Sequence, residues 1–354
     1  MNDQKVRVGI THGDINGIGY EIILKTLSDN RINELCVPVI YGSPRIASYY
    51  RKLLPSMENF SLNSINNISD IHPKRVNIIN INCGTDDLRV EPGKPVEEAA
   101  RAALCALEMA VSDLKNGKID VMLTAPFNKH TMQSNKFNFP GHTEYLSSAF
   151  GVQNHLMLLI SETMRIGVVT GHVPLSEVPK YLSKAHILNK LELLNRTLIN
   201  DFMIRRPRIA VLGLNPHAGD CGLLGKEEED VIIPVIAEAN KKNILAFGPY
   251  PADGFFGAVS YRRFDAILAM YHDQGLVPFK ALSFDSGVNY TAGLPFVRTS
   301  PAHGVGYDIA GTGKASPDSF RMALYTACDI FNNRKRQAEL QTNAMKPVNT
   351  EKLS

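Results

Sequence analysis

The chain has 354 residues, 44% of them hydrophobic and 21% charged, which suffices for one large or two ordinary domains with a buried core. Its 38 Lys and Arg against 35 Asp and Glu leave a formal net charge of +3 with no long block of one sign, so it carries no electrostatic footprint for nucleic acid. No apolar stretch approaches the roughly 20 residues of a membrane span, and five scattered cysteines without a Cys-x-x-Cys pair argue against disulfides or a thiolate zinc site.

The first residues pass from Met1 into a strand-like run without the apolar core of a secretory signal, which makes a cytoplasmic location the default expectation. Val6 to Ile10 predicts a strand and Gly17 to Ser28 a helix; Val37 to Tyr41 and Pro44 to Leu54 repeat the pair. The Asn- and Ser-rich stretch Pro55 to Pro73 reads as poorly ordered. Pro95 and the acidic Glu97 and Glu98 open a long helix that runs through the Ala- and Leu-rich Arg101 to Lys115 and stops at Asn116-Gly117. Further strands are predicted at Ile119 to Thr124, Arg165 to Thr170, Arg208 to Gly213 and Asp265 to Tyr271, with helices at Leu188 to Ile204 and Glu227 to Lys242. The polar run from Asn332 to Ser354 reads as a tail. Alternating strands and helices define an α/β fold on a mixed, largely parallel sheet. Without a clean Pro/Gly linker, two lobes joined by more than one crossing are expected, with a ligand cleft between them.

Several histidines sit just past a predicted strand, where α/β proteins place ligand groups: His172, His217 and His272 follow three different strands in Gly-, Pro- and Asn-rich loops. One such histidine is more often a satisfied structural residue; three without thiolates suit a catalytic Zn²⁺, Co²⁺ or similar divalent ion with open positions. Gly141-His142-Thr143-Glu144 at a helix start, with Lys280, Asn289 and Arg298, offers backbone N–H groups, a positive dipole end and cations for an anionic substrate. Single surface cations are ordinarily just solvated, but Arg298 lies in the apolar run Leu294 to Ser300, where a cation needs a partner. The loop Gly13 to Gly19 matches neither the dinucleotide fingerprint nor a Walker loop and is expected on the substrate side. The glycine-dense His303 to Gly313 offers His303 and Asp308 to an adenine edge or ribose; a plain loop is the bland alternative.

Taken in order, Thr11-His12-Gly13-Asp14, Thr124-Ala125-Pro126, Pro140 to Glu144, Asn215-Pro216-His217-Ala218-Gly219, Gly248 to Asp253, Met270 to Leu276 and Gly293 to Ser300 resemble the 4-hydroxythreonine-4-phosphate dehydrogenase family of pyridoxal phosphate biosynthesis, over nearly the whole chain up to Asn332. The resemblance implies a two-lobed α/β/α fold like that of isocitrate and isopropylmalate dehydrogenases. Its first lobe would be 1–128 plus 300–335 with the cofactor loop, its second 129–299 with metal ligands and dimer contacts, and 336–354 a polar tail. It implies one divalent metal (Zn, Co or Mg) per site on His172, His217 and His272, and substrate on His142, Thr143, Lys280, Asn289 and Arg298. NAD would lie against His303, Gly304, Asp308 and Gly311, and a homodimer would complete each site across its interface, with no nucleic-acid or membrane partner. Asp253, Asp273 and Lys280 are the candidates for proton transfer and other catalytic roles. The chain departs from the family pattern at Ile15 and Tyr20, which replace prolines, and at Gly254 after Asp253. The activity implied is NAD- and metal-dependent oxidation of 4-phosphooxy-L-threonine followed by decarboxylation. The alternatives are a paralogous threonate or erythronate 4-phosphate dehydrogenase, a phosphotransacetylase-like acyltransferase, or a non-catalytic binding protein.

Overall fold

The computed structural model describes residues 5–54, 57, 60–81, 88–133, 137, 139 and 141–342; Cys83, Pro140 and residues 343–354 of the expected tail lie outside them. Among the described residues the strands are β1 (Val6–Thr11), β2 (Cys36–Gly42), β3 (Asn63–Ile65), β4 (Asn77–Asn80), β5 (Val121–Thr124), β6 (Leu156–Ile160), β7 (Arg165–Val168), β8 (Arg208–Leu212), β9 (Leu245–Tyr250), β10 (Ala266–Ala269), β11 (Val288–Ala292) and β12 (Val297–Pro301). They form one sheet in the order β3-β4-β2-β1-β5-β12-β11-β6-β7-β10-β8-β9. The helices are α1 (Gly19–Leu27), α2 (Ile32–Leu35), α3 (Pro44–Lys52), α4 (Glu97–Lys115), α5 (Lys129–Met132), α6 (His142–Ala149), α7 (Val178–Tyr181), α8 (Lys184–Asn200), α9 (Ile233–Lys241), α10 (Ala252–Gly257), α11 (His272–Ser283) and α12 (Asp318–Thr342).

Strands β3, β4, β2, β1, β5 and β12 are mutually parallel, as are β7, β10, β8 and β9. Between the two groups β11 and β6 pair antiparallel with every neighbour. The parallel strands carry near-continuous apolar sequence because both faces are covered: every residue of β2 is buried. Helix α4 begins after Pro95 with Glu97 and Glu98 in its first turn. It buries Ala99, Ala102, Ala103, Ala106 and Ala110, small residues that let it lie close to the strands. Gly117 ends it in the left-handed conformation, φ 65°.

The antiparallel centre fixes which side chains share a face. Asn289 is paired with Ser300 on one side and with Leu159 on the other, and side chains alternate along a strand. Met157, Leu159, Asn289, Thr291, Arg298 and Ser300 therefore project from one face, while Leu158, Tyr290 and Thr299 project from the other. That second face is closed by α12: the Thr299 hydroxyl donates to the Ala323 carbonyl at 2.8 Å, and Arg334 donates to the Tyr290 hydroxyl at 2.7 Å.

Three expectations are corrected. Residues 332–342 continue α12 because their Lys, Arg, Gln, Ala and Glu are good helix formers and Arg334 is drawn into a buried ion pair with Asp201. Within 55–73 the described residues form β3 and a 3₁₀ turn, Ile68–Asp70. Cys105 is disulfide-bonded, since scatter along the chain says nothing about proximity in the fold, whereas Cys36, Cys221 and Cys328 are free. No helix among the described residues is long and apolar enough to cross a membrane.

Candidate active site

A cavity of about 270 Å³ opens on the face defined by Asn289, Arg298 and Ser300. Its walls gather His142, Thr143, His172, His272, Lys280, Asn289, Arg298, His303 and Gly304 of the expected residues, drawn from sequence positions up to 162 apart. They also include Thr124, Lys129 and Glu144, which the sequence did not single out as site residues. Asp273 lines an adjoining cavity with His172 and His272. His217, Asp253, Asp308 and Gly311 line neither. A larger cavity of about 890 Å³ lies beside α4 and the 66–74 segment. Of its cations Lys5, Arg7, Lys74 and Lys118, Arg7 and Lys118 are already paired with Asp120 and Asp113, and no histidine among the described residues lines it, whereas the smaller cavity gathers the expected site residues.

Arg298 dominates the electrostatics. It is 3% exposed, yet its guanidinium touches no carboxylate: Nε and Nη2 donate to the Thr124 hydroxyl at 3.1 and 2.6 Å, and Nη1 to the Thr291 hydroxyl at 3.3 Å. Burial pushes its pKa down to about 10, while the charge of Glu144 works the other way. A buried cation with no carboxylate in contact is costly, so its position at a cavity wall marks a site for an anion. The N-terminus of α6 adds free backbone N–H groups beside it, with Thr143 Oγ1 3.2 Å from Thr291 Oγ1. His142 packs on Phe127 with ring centroids 4.0 Å apart. Burial, then the charges of Arg298 and Lys129, hold it well below the usual histidine range, so it is neutral.

Three residues that line the cavity carry orphaned polar atoms. Asn289 Oδ1, Glu144 Oε2 and His303 Nε2 are buried without a hydrogen-bond partner. The first two are acceptors, which a ligand carrying hydroxyl or ammonium donors would satisfy. Lys129 Nζ stands 3.4 Å from His172 Nε2, and Glu144 Oε1 is 3.6 Å from His172 Nδ1. Burial pushes Glu144 up, but its bonding to His172 and to its own backbone N–H outweighs that and leaves it below the ordinary carboxyl range.

The expected metal ligands are brought together in part. His172 and His272 face each other with ring centroids 5.6 Å apart, and His272 Nδ1 bonds Asp273 Oδ1 at 2.7 Å, which leaves Nε2 as the ligand atom. Among the described residues of one chain no group of three His, Cys, Asp or Glu stands close enough to hold a metal ion. His217 is exposed at the tip of a strained loop in which His217, Ala218, Asp220 and Cys221 all have positive φ, 43–53°. Glu228, 2% exposed, clamps that loop by accepting the backbone N–H groups of Leu214 and Asn215 at 2.7 and 2.8 Å. The π-helical turn Glu228–Ile232 ahead of α9 carries that clamp.

The two glycine-rich loops are one packed unit. Tyr307 donates to Asp14 Oδ2 at 2.6 Å, Ile18 N to the Val305 carbonyl at 3.0 Å, and Gly93 N to the Asn16 carbonyl at 2.8 Å. Gly13 to Gly19 lines no part of the cavity, contrary to the substrate-side expectation; Asp14, Ile15 and Asn16 are buried, Asp14 against Tyr307 of the later loop, Ile15 under the Tyr50 hydroxyl and Asn16 against the 91–94 segment. Gly311, φ 75°, packs on Pro92, where a Cβ would lie 2.9 Å from the ring.

Fold and cavity together define an α/β enzyme for a small anionic substrate. The model for the pyridoxal phosphate biosynthetic protein PdxA matches residues 34–327. A 4-hydroxythreonine-4-phosphate dehydrogenase of Bacteroides thetaiotaomicron is 53% identical over 353 residues, covering 99% of this chain and 96% of its own. One of Prosthecochloris aestuarii is 41% identical over 332 residues, covering 92% and 97%. The crystal structure of the Klebsiella pneumoniae 4-hydroxythreonine-4-phosphate dehydrogenase matches with a TM-score of 0.79 at 32% identity, covering 94% of this chain and 99% of that one. The chain belongs to the pyridoxal phosphate biosynthetic protein PdxA family and is a dehydrogenase, an activity that calls for a nicotinamide cofactor.

Proposed function

We propose that the chain oxidises the C3 hydroxyl of 4-phosphooxy-L-threonine with NAD⁺ and releases 3-amino-2-oxopropyl phosphate. Hydride leaves C3 for the nicotinamide and a proton leaves the hydroxyl, giving 2-amino-3-oxo-4-phosphooxybutanoate; this β-keto acid then loses CO₂. The observation that carries the reading is the buried Arg298, in contact with no carboxylate, at the wall of a cavity holding two facing imidazoles. Arg298, Lys280 and the His142–Thr143 helix start would take the phosphate and carboxylate. Asn289 and Glu144 supply unpartnered acceptors for the ammonium and hydroxyl donors. Held this way the substrate presents one face of C3 to the nicotinamide. Asp273 orients His272 and, lining the adjoining cavity, is the candidate for accepting the hydroxyl proton ahead of Asp253, which lines neither cavity. NAD would lie along His303 to Gly311, where the exposed Asp308 favours a ribose hydroxyl over a 2′-phosphate.

His172 and His272 would hold one divalent metal with His217 of the partner subunit, in a homodimer whose sites lie across the interface. When bound, a metal of the zinc, cobalt or magnesium kind supplies Lewis acidity that lowers the pKa of the substrate hydroxyl. The exposed, strained setting of His217 suits a residue presented to a second chain. The test is NADH formation, followed by absorbance with 4-phosphooxy-L-threonine and with threonate and erythronate 4-phosphates, each before and after chelator treatment. Turnover of the amino acid phosphate that chelator abolishes and metal restores is the expected result; preference for a threonate or erythronate phosphate would overturn the substrate assignment.

A further inference from the structure

The guanidinium of Arg298 is held by alcohols alone, and this arrangement decides what the cation can do. Thr124 and Thr291 are both fully buried, and Thr124 sits at the end of β5, one strand away from Thr291's own partner strand. An arginine only donates, so both hydroxyl oxygens must be acceptors here. Three of the five N–H groups go to them: two to Thr124 Oγ1 and one to Thr291 Oγ1. One N–H remains on each terminal nitrogen, a pair that matches the oxygens of a phosphate or carboxylate. The Thr291 hydroxyl also lies 3.2 Å from Thr143 Oγ1, where either oxygen can donate, so Arg298 and the Thr143 alcohol at the start of α6 are joined through Thr291.

We propose that Thr124 and Thr291 are positioning residues of the anion site: their hydroxyls hold the buried Arg298 with no carboxylate in contact and aim its two remaining N–H groups at the oxyanion. The inference rests on the reading of the cavity as the site of a phosphorylated substrate. A carboxylate in place of either threonine would neutralise the guanidinium, and an alkyl group would leave its N–H groups unsatisfied and free to rotate the fork away.

The test compares Thr124→Val, Thr291→Val and Thr124→Ser in the full chain, with thermal midpoints and circular dichroism as folding controls. Inorganic phosphate binding is measured directly by calorimetry, and KM and kcat with 4-phosphooxy-L-threonine. Thr124→Val and Thr291→Val are expected to weaken phosphate and raise the substrate KM by about tenfold, leaving the KM for NAD⁺ within about twofold, whereas Thr124→Ser, which keeps the hydroxyl, stays within about threefold of the parent. If Thr124→Val does not fold, Thr291→Val carries the same expectation. A folded valine variant with unchanged phosphate affinity and substrate KM overturns the inference. Parent protein that binds phosphate with these dependences yet oxidises none of the four-carbon phosphates would instead overturn the functional reading and leave the cradle standing; parent protein that binds no phosphate overturns both.

Discussion

At the scale of single residues, Arg298 and His12 show how burial sets chemistry. Arg298→Lys keeps the charge but loses the planar fork that chelates Thr124. The substrate KM should rise by about tenfold or more, in line with the ~1.5–3 kcal/mol of a charge-assisted hydrogen bond, and an unchanged KM in steady-state kinetics would place the anion elsewhere. His12 is 1% exposed and stacked on Tyr20 with centroids 5.3 Å apart; desolvation depresses its pKa to about 4 from 6.5. Because the fold favours neutral His12, its contribution is fully present above pH 6.5 and declines as pH falls from 6.5 towards 4, where the unfolded chain takes up the proton first. The unfolding free energy from urea titrations should therefore drop across that window, by about 3 kcal/mol from this residue, and His12→Gln should flatten the slope. An equal slope in His12→Gln would assign the acid lability to the other burial-depressed histidines, His142, His155, His186 and His303. The site histidines 172 and 272 were legible because a strand end is a local signal. Thr124 and Thr291 were not, since an alcohol within a strand acquires its role only when β5, β12 and β11 come together, and Lys129 was hidden behind a four-residue helix.

At the scale of elements, the stretch least legible in sequence is the end of α12. Its polar composition resembles a tail, yet Arg334 donates to Asp201 Oδ1 at 2.7 Å and to the Tyr290 hydroxyl at 2.7 Å, and Tyr290 donates to Asp201 Oδ2 at 2.5 Å. The partners lie 133 and 44 positions away, beyond the reach of any periodicity, whereas α4 was legible because its proline, acidic first turn and alanine face are all local. This triad ties α12 and the end of α8 to the back of β11, whose other face carries Asn289 and Thr291. Asp201→Ala removes the carboxylate that accepts the buried Tyr290 hydroxyl proton and pairs the mostly buried Arg334 guanidinium, so it should cost about 3 kcal/mol in chemical denaturation. Glu98→Ala, which breaks an exposed pair with Arg101 on α4, should cost no more than about 0.5 kcal/mol. Similar losses for the two would show that the triad is solvated and contributes little to holding α12.

At the scale of the whole molecule, the separation of His217 from His172 and His272 becomes a question of which chain completes which site. If one chain supplied all three imidazoles, mixing His172→Ala with His217→Ala protein would repair nothing, because every site in a mixed dimer would still lack one ligand. If each site takes His172 and His272 from one chain and His217 from the other, the outcome differs. A mixed dimer then concentrates both defects in one site and leaves the second intact. Random exchange makes half of the dimers mixed, so about a quarter of the parent activity should return from two inactive parents. Co-refolding or co-expression of the two variants, followed by NADH formation and metal content per dimer, reads this directly. Activity near a quarter with about one metal per mixed dimer is the expected result; none, with both variants folded and dimeric by sedimentation, would confine the ligands to a single chain. The strained loop that carries His217 makes the first outcome physically sensible, because Glu228 anchors the loop base while the imidazole stands exposed at its tip.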